Sequence, residues 1–121
     1  MVDISKDVYD ALCSIDGLSV YYFYPLDWSV LPVTSYYEIT NADYAQADGK
    51  EYLSEIAYQV DIWSEDSSEN ARLALLINEK LYRIGLRRGM SLDLFESGAN
   101  LHHRTMRFAC FAKQDKTIYQ N

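Results

Sequence analysis

The chain has 121 residues, of which 49% are apolar and 24% are charged, and its formal net charge is −7. These values are typical of one globular domain with a real core, and they exclude a disordered or fibrous protein. The negative charge also argues against a general nucleic-acid binder, because attraction to phosphate depends on Lys and Arg.

The N-terminus, the apolar runs and the two cysteines bear on the cellular compartment of the protein. The N-terminus has no apolar segment of signal-peptide length, and no run approaches the roughly 18 apolar residues of a membrane span. We therefore expect synthesis in the cytoplasm and no membrane partner. Cys13 and Cys110 lie in apolar periodic segments without metal-ligand spacing, which predicts two buried free thiols rather than a disulfide or a zinc site.

The first third of the chain predicts one helix and two strands. Apolar residues recur at helical spacing over residues 3–15 and are followed by a glycine. Residues 18–24 are aromatic and β-branched and stop at a proline, as expected of a strand. Residues 35–41 have the composition of a second strand.

Two predicted loops flank the second strand. Residues 26–33 are apolar, follow neither period and are bracketed by prolines, which predicts an extended loop. Its Trp28, Val30 and Leu31 have no obvious place in the core of the domain. Residues 41–50 predict a second loop or a long hairpin connection.

The stretch from residue 52 to residue 84 carries the strongest periodic pattern. Apolar and polar residues alternate over 52–63, which predicts a central strand, and an apolar stripe over 67–84 predicts a helix that lies on the sheet. Asp66 and Glu69 form a capping-box pattern at the start of this helix, and Gly85 suits its end.

The rest of the chain predicts two antiparallel strands, at residues 90–96 and 101–112, joined by a turn. The polar residues 113–121 predict a flexible tail. The fold class is therefore α+β. We expect one domain over residues 1–121, in the order α-β-β-β-α-β-β, with two helices on one face of a mainly antiparallel sheet.

Charge is distributed unevenly along the sequence. Residues 1–66 hold 13 acidic and 2 basic side chains, whereas residues 67–121 hold 5 acidic and 9 basic ones. A subunit with one acidic and one basic surface can dock head to tail on its copies, and such contacts close into a ring if the rotation allows. Alternatively, the two halves of the sequence do not correspond to two surfaces.

No motif in the chain predicts catalysis. His102 and His103 are adjacent in a strand, so they point to opposite faces and cannot share a metal, and no acidic residue lies two positions away. Nucleophile elbows, phosphate-binding loops and zinc-protease motifs are absent from the sequence. We expect no enzyme activity, no cofactor and no metal. The alternative is a hydrolase with a shallow site around these histidines.

Basic and aromatic residues supply the candidate contact surfaces. Five arginines are expected near one another, and they fit a solvated surface, an interface with an acidic neighbour, or a DNA contact: Arg83, Arg87, Arg88, Arg104 and Arg107. The 11 tyrosines, including Tyr36 and Tyr44, suit either a half-exposed sheet or a protein interface. Together with the apolar loop at 26–33, they favour an oligomer.

Several segments resemble the tail terminator, or tail completion, proteins of long-tailed bacteriophages. The resemblance covers nearly the whole chain and rests on patterns of strand, loop and cap rather than on a chemical motif. The segments are Tyr24-Pro25, Pro32 before Tyr36-Tyr37, and the runs 58–63, 84–88 and 103–108.

The resemblance implies an α+β subunit of a hexameric ring in the virion. Such a ring caps the head-proximal end of the tail tube, ends its growth and offers a surface to the head connector, while DNA passes through the lumen as cargo. The loops 26–33 and 41–51 are then candidates for subunit and tube contacts, and Arg87, Arg88, Arg104 and Arg107 for an acidic neighbour. Other neck or completion proteins, and a small non-viral oligomeric binding domain, remain alternatives.

Overall fold

The computed structural model describes residues 1–119 and contains the helices and strands in the predicted order. The helices are α1 (Ser5–Cys13) and α2 (Ser67–Arg83). The strands are β1 (Ser19–Tyr22), β2 (Val33–Ala47), β3 (Lys50–Ser64), β4 (Arg87–Glu96) and β5 (Leu101–Lys113). The sheet order is β1-β2-β3-β5-β4, with β1 parallel to β2 and the other neighbours antiparallel. The predicted α+β class is confirmed.

The core lies between the two helices and one side of the sheet, which we call the inner face. Alternate residues of β3 and β5 point into it, and the apolar stripe of α2 packs on them. The largest contributors are fully buried: Ile56, Tyr58, Ile62, Leu73, Ile77, Leu81, Met106 and Phe108. The opposite side of the sheet, the outer face, carries no helix among the described residues.

The ends of α2 follow the sequence signals in part. The Asp66 carboxylate accepts a hydrogen bond from the backbone N–H of Ser68 at 2.9 Å, as expected of an N-cap. Glu69 instead pairs with Arg72 one turn later, so its half of the capping box does not form. Gly85 has a φ of 100°, the left-handed conformation that ends the helix without strain on a Cβ.

The predicted loop or long hairpin connection at residues 41–50 is wrong, because β2 continues through Ala47 and pairs with β3 up to the tip. Asp48 and Gly49 make a two-residue turn in which both φ angles are positive, 53° and 75°. Alanines and acidic residues have low strand propensity, but the cross-strand hydrogen bonds decide their conformation here.

Residues after β5 make defined contacts with that strand. Ile118 forms a bridge with Ala112, and the Tyr119 N–H donates to the Phe111 carbonyl at 2.7 Å. This part of the predicted flexible tail thus returns to the sheet, whereas residues 120–121 lie outside the described residues.

Both cysteines are free, but only Cys110 is buried as predicted. Cys13 is exposed because it ends α1 on the side away from the stripe of Val8 and Leu12. Burial raises the pKa of the Cys110 thiol to about 11. Within residues 1–119, neither helix is long and apolar enough to cross a membrane.

Candidate functional site

The connection from β1 to β2 crosses the outer face of the sheet. Parallel neighbouring strands require such a crossover, and residues 23–32 supply it. Its Trp28 ring packs edge to face on Trp63, with centroids 5.1 Å apart, and Tyr24 contacts both rings. Trp28 is therefore not part of the core, but it packs on the outer face of its own domain. Val30 remains 53% exposed and Leu31 is half-buried.

This crossover leaves an open cleft at the end of β3, which we call the aromatic cleft. Its volume is about 670 Å³. Aromatic rings form one wall, and the turn between β4 and β5 forms the other. The lining residues are Tyr24, Trp28, Leu31, Trp63, Glu65, Glu96, Ala99, Leu101 and His103.

His103 forms the floor of the aromatic cleft and is held from three sides. Its Nε2 lies 2.8 Å from Asp61 Oδ1, and its Nδ1 lies 3.0 Å from Glu96 Oε1. The ring also stacks on Trp63 with centroids 4.5 Å apart and planes at 19°. Asp61 is only 5% exposed and accepts a second hydrogen bond from Gln59 Nε2 at 3.0 Å.

These contacts favour a charged pair at His103 and Asp61. Burial acts to lower the pKa of His103, but the hydrogen bonds to Asp61 and Glu96 outweigh it and raise that pKa above 6.5. Burial likewise acts to raise the pKa of Asp61, but its bonds to His103 and Gln59 bring it below 3.8. An imidazolium with both N–H groups donating to carboxylates has no lone pair for a metal or for proton abstraction.

The partners of His103 do not lie on its own strand, where the sequence pattern could reveal them. Asp61 is on β3 and Glu96 is at the end of β4. The register that brings them together is a tertiary property. Across residues 1–119, no group of three or more His, Cys, Asp or Glu side chains is placed to hold a metal ion.

Several large side chains on the outer face are exposed, on both sides of the polar Gln59-Arg107 pair. They include Phe23, Tyr44, Leu92 and Leu94, which are 63%, 59%, 51% and 44% exposed. Phe23 packs on Tyr37 and Tyr44 packs on Phe111, so these rings are held in place rather than loose. We call this set of side chains the outer apolar face.

The structure separates the predicted contact tyrosines. Tyr44 lies on the outer apolar face, whereas Tyr36 points to the inner face, packs against Tyr9, Tyr22 and Tyr58, and is 5% exposed. Tyr36 belongs to the core, because the alternation of β2 turns it towards the helices. Its prediction as a contact residue is therefore wrong.

The candidate arginines do not form one cluster. Arg87 lies over the Tyr82 ring, 5.2 Å from its centroid, and Arg88 donates to Asn78 Oδ1 at 3.1 Å, both beside the C-terminal end of α2. Two other candidates lie elsewhere. Arg104 donates to Asp93 Oδ2 at 3.2 Å, and Arg107 is exposed opposite Gln59 on the outer face.

The two ends of β4 differ in charge. Arg87 and Arg88 begin the strand, and Glu96 ends it in the aromatic cleft, beside Glu65. A ten-residue strand spans roughly 30 Å at about 3.3 Å per residue, so an arginine pair and an acidic cleft lie at opposite ends of the domain.

No protein-family model matches this chain, and no curated protein matches it significantly.

Proposed function

We propose that this protein is a structural assembly protein of a long-tailed bacteriophage, a tail terminator that acts as a ring. The observation that carries the proposal is the outer apolar face, where four large apolar side chains are about half exposed or more. Several large apolar groups exposed on one sheet face that carries no helix are typical of a surface that another protein covers. The α+β fold is also the one that the resemblance to tail terminators implies.

The mechanism of such a ring is geometric. Subunits dock head to tail, since the two ends of β4 carry opposite charge, and a closed set of these contacts, six in the resembling family, makes the ring. The ring stacks on the last layer of the tail tube, covers the surface that the next layer needs, and presents a new surface to the head connector. DNA passes through the lumen as cargo.

Assembly in solution tests the role of the outer apolar face. Leu92→Lys places a charge on this face at a position that is already 51% exposed, so the monomer should stay folded. We expect a lower oligomer mass by light scattering than for the wild type at the same concentration. Leu75→Lys is the matched control, because Leu75 is 72% exposed on α2, away from this face. Equal loss of mass in both variants, or in neither, contradicts the proposal.

The decisive test uses a phage that encodes this chain. Without a terminator, tube subunits have no signal to stop adding, so electron micrographs should show tail tubes of uncontrolled length without heads. Tubes of normal length joined to filled capsids would overturn the proposal.

A further inference from the structure

We propose that the aromatic cleft receives the arginine pair Arg87-Arg88 of a second copy of this chain. The inference rests on the proposed ring and names the contact between its successive subunits. It follows from the chemistry of the cleft, from the surroundings of the arginines and from their separation on the domain.

The aromatic cleft has the chemistry that binds a guanidinium group. Tyr24 is 58% exposed and Trp28 is half-buried, so both offer aromatic rings on which the planar guanidinium stacks. Glu65 and Glu96 are exposed carboxylates at the same opening and can accept its N–H groups. A protonated His103 does not oppose a second cation, since the carboxylates of Asp61 and Glu96 both lie within hydrogen-bond distance of that ring.

The arginine pair is the complementary group. Within residues 1–119, Arg72, Arg83 and Arg104 each form a salt bridge with a carboxylate of the same chain. Arg87 and Arg88 form none among those residues, although they are adjacent and exposed, and their contacts are the Tyr82 ring and the neutral Asn78 side chain. Two neighbouring cations without an acidic partner are available to a carboxylate from another subunit.

The placement of the two sites favours a second copy as the partner. They lie at opposite ends of β4, roughly 30 Å apart, so one chain cannot satisfy its own cleft. A contact between unlike ends of two copies is heterologous, and it leaves one cleft and one arginine pair free for the next subunit. Repeating this contact gives a closed ring when the rotation fits.

A charge-exchange experiment tests the contact. Arg87→Glu with Arg88→Glu reverses the arginine pair, and Glu65→Lys reverses one rim carboxylate that makes no hydrogen bond or salt bridge within residues 1–119. Each variant alone should show at least a tenfold weaker self-association by light scattering and native mass spectrometry. An equimolar mixture should recover oligomers in which the two variants alternate, because each then meets an oppositely charged partner.

Asp7→Lys is the matched control, since it makes the same charge change on α1, on the other side of the sheet. It should assemble like the wild type. Circular dichroism must show each variant folded. If the wild type stays monomeric at every soluble concentration, the proposed ring itself fails. If the wild type assembles but Glu65→Lys assembles equally well, or the mixture does not recover, only the cleft contact is refuted.

Discussion

Replacing His103 with glutamine should destabilise the folded domain in a pH-dependent way. After the substitution, the buried Asp61 carboxylate still accepts the hydrogen bond from the Gln59 side chain. Removing one partner of a buried ion pair costs about 3–5 kcal/mol, and a retained hydrogen bond offsets about 1 kcal/mol of that. We expect His103→Gln to lower the free energy of unfolding by about 2–4 kcal/mol near pH 6.

The sign of the pH dependence follows from the raised pKa of His103. Its stabilising contribution is complete below the unfolded value of 6.5 and is lost as pH rises through the higher folded value. The Asp61 contribution is present above 3.8 and is lost as pH falls through the lower folded value. The wild-type domain should therefore lose stability above pH 6.5, by at most about 1.4 kcal/mol per pH unit, and the variant should not.

Urea unfolding followed by circular dichroism, at a protein concentration low enough to keep the chain monomeric, measures this difference. The chain has two histidines, so His102→Gln is a matched control that should retain the wild-type pH dependence. Glu96→Gln should cost less than about 1 kcal/mol, since Glu96 is half exposed. Parallel pH curves for the wild type and His103→Gln from about pH 5.5 to 9 would refute the reasoning.

Two further predictions concern the core and the cysteines. Leu81→Ala should lower the free energy of unfolding by about 2–5 kcal/mol, because it opens a cavity under α2. Leu75→Ala, on the exposed side of the same helix, should change this free energy by under about 0.5 kcal/mol in the same urea titration. A thiol reagent at about pH 8 should label the exposed Cys13 in the native protein. Cys110 is buried and its pKa is about 11, so it should react only after denaturant is added. Rapid labelling of both cysteines in the native protein would contradict the burial of Cys110.

Regular elements could be predicted from the sequence because their periodicity is local. Along residues 56–62 of β3, every second residue is apolar and points to the inner face. Along α2, the apolar stripe returns on successive turns of the helix and points to the same core. The second half of β2 lacks this pattern. Its one local sign was the Asp48-Gly49 pair, a dipeptide that favours a two-residue hairpin turn and therefore two long strands.

The aromatic cleft could not be predicted because its residues meet only in the folded sheet. His103 and Asp61 are 42 positions apart in the chain, and their contact depends on the register of β3 with β5. The position of Trp28 depends on which face the crossover covers, and the parallel pairing of β1 with β2 was itself not evident from the sequence. Side-chain alternation can place residues on faces, but it does not identify the strands that become neighbours.

Trp28 and Trp63 are the two tryptophans of the chain, and both line the aromatic cleft. Intrinsic fluorescence excited at the indole band therefore samples the crossover and the end of β3, while the packing of α1 and α2 on the sheet contributes no indole signal. If the crossover lifts from the sheet before the helices melt, the emission transition will precede the circular dichroism transition, since separate probes coincide only when unfolding is two-state. Because both indoles line the cleft, a molecule that enters it should change the emission spectrum.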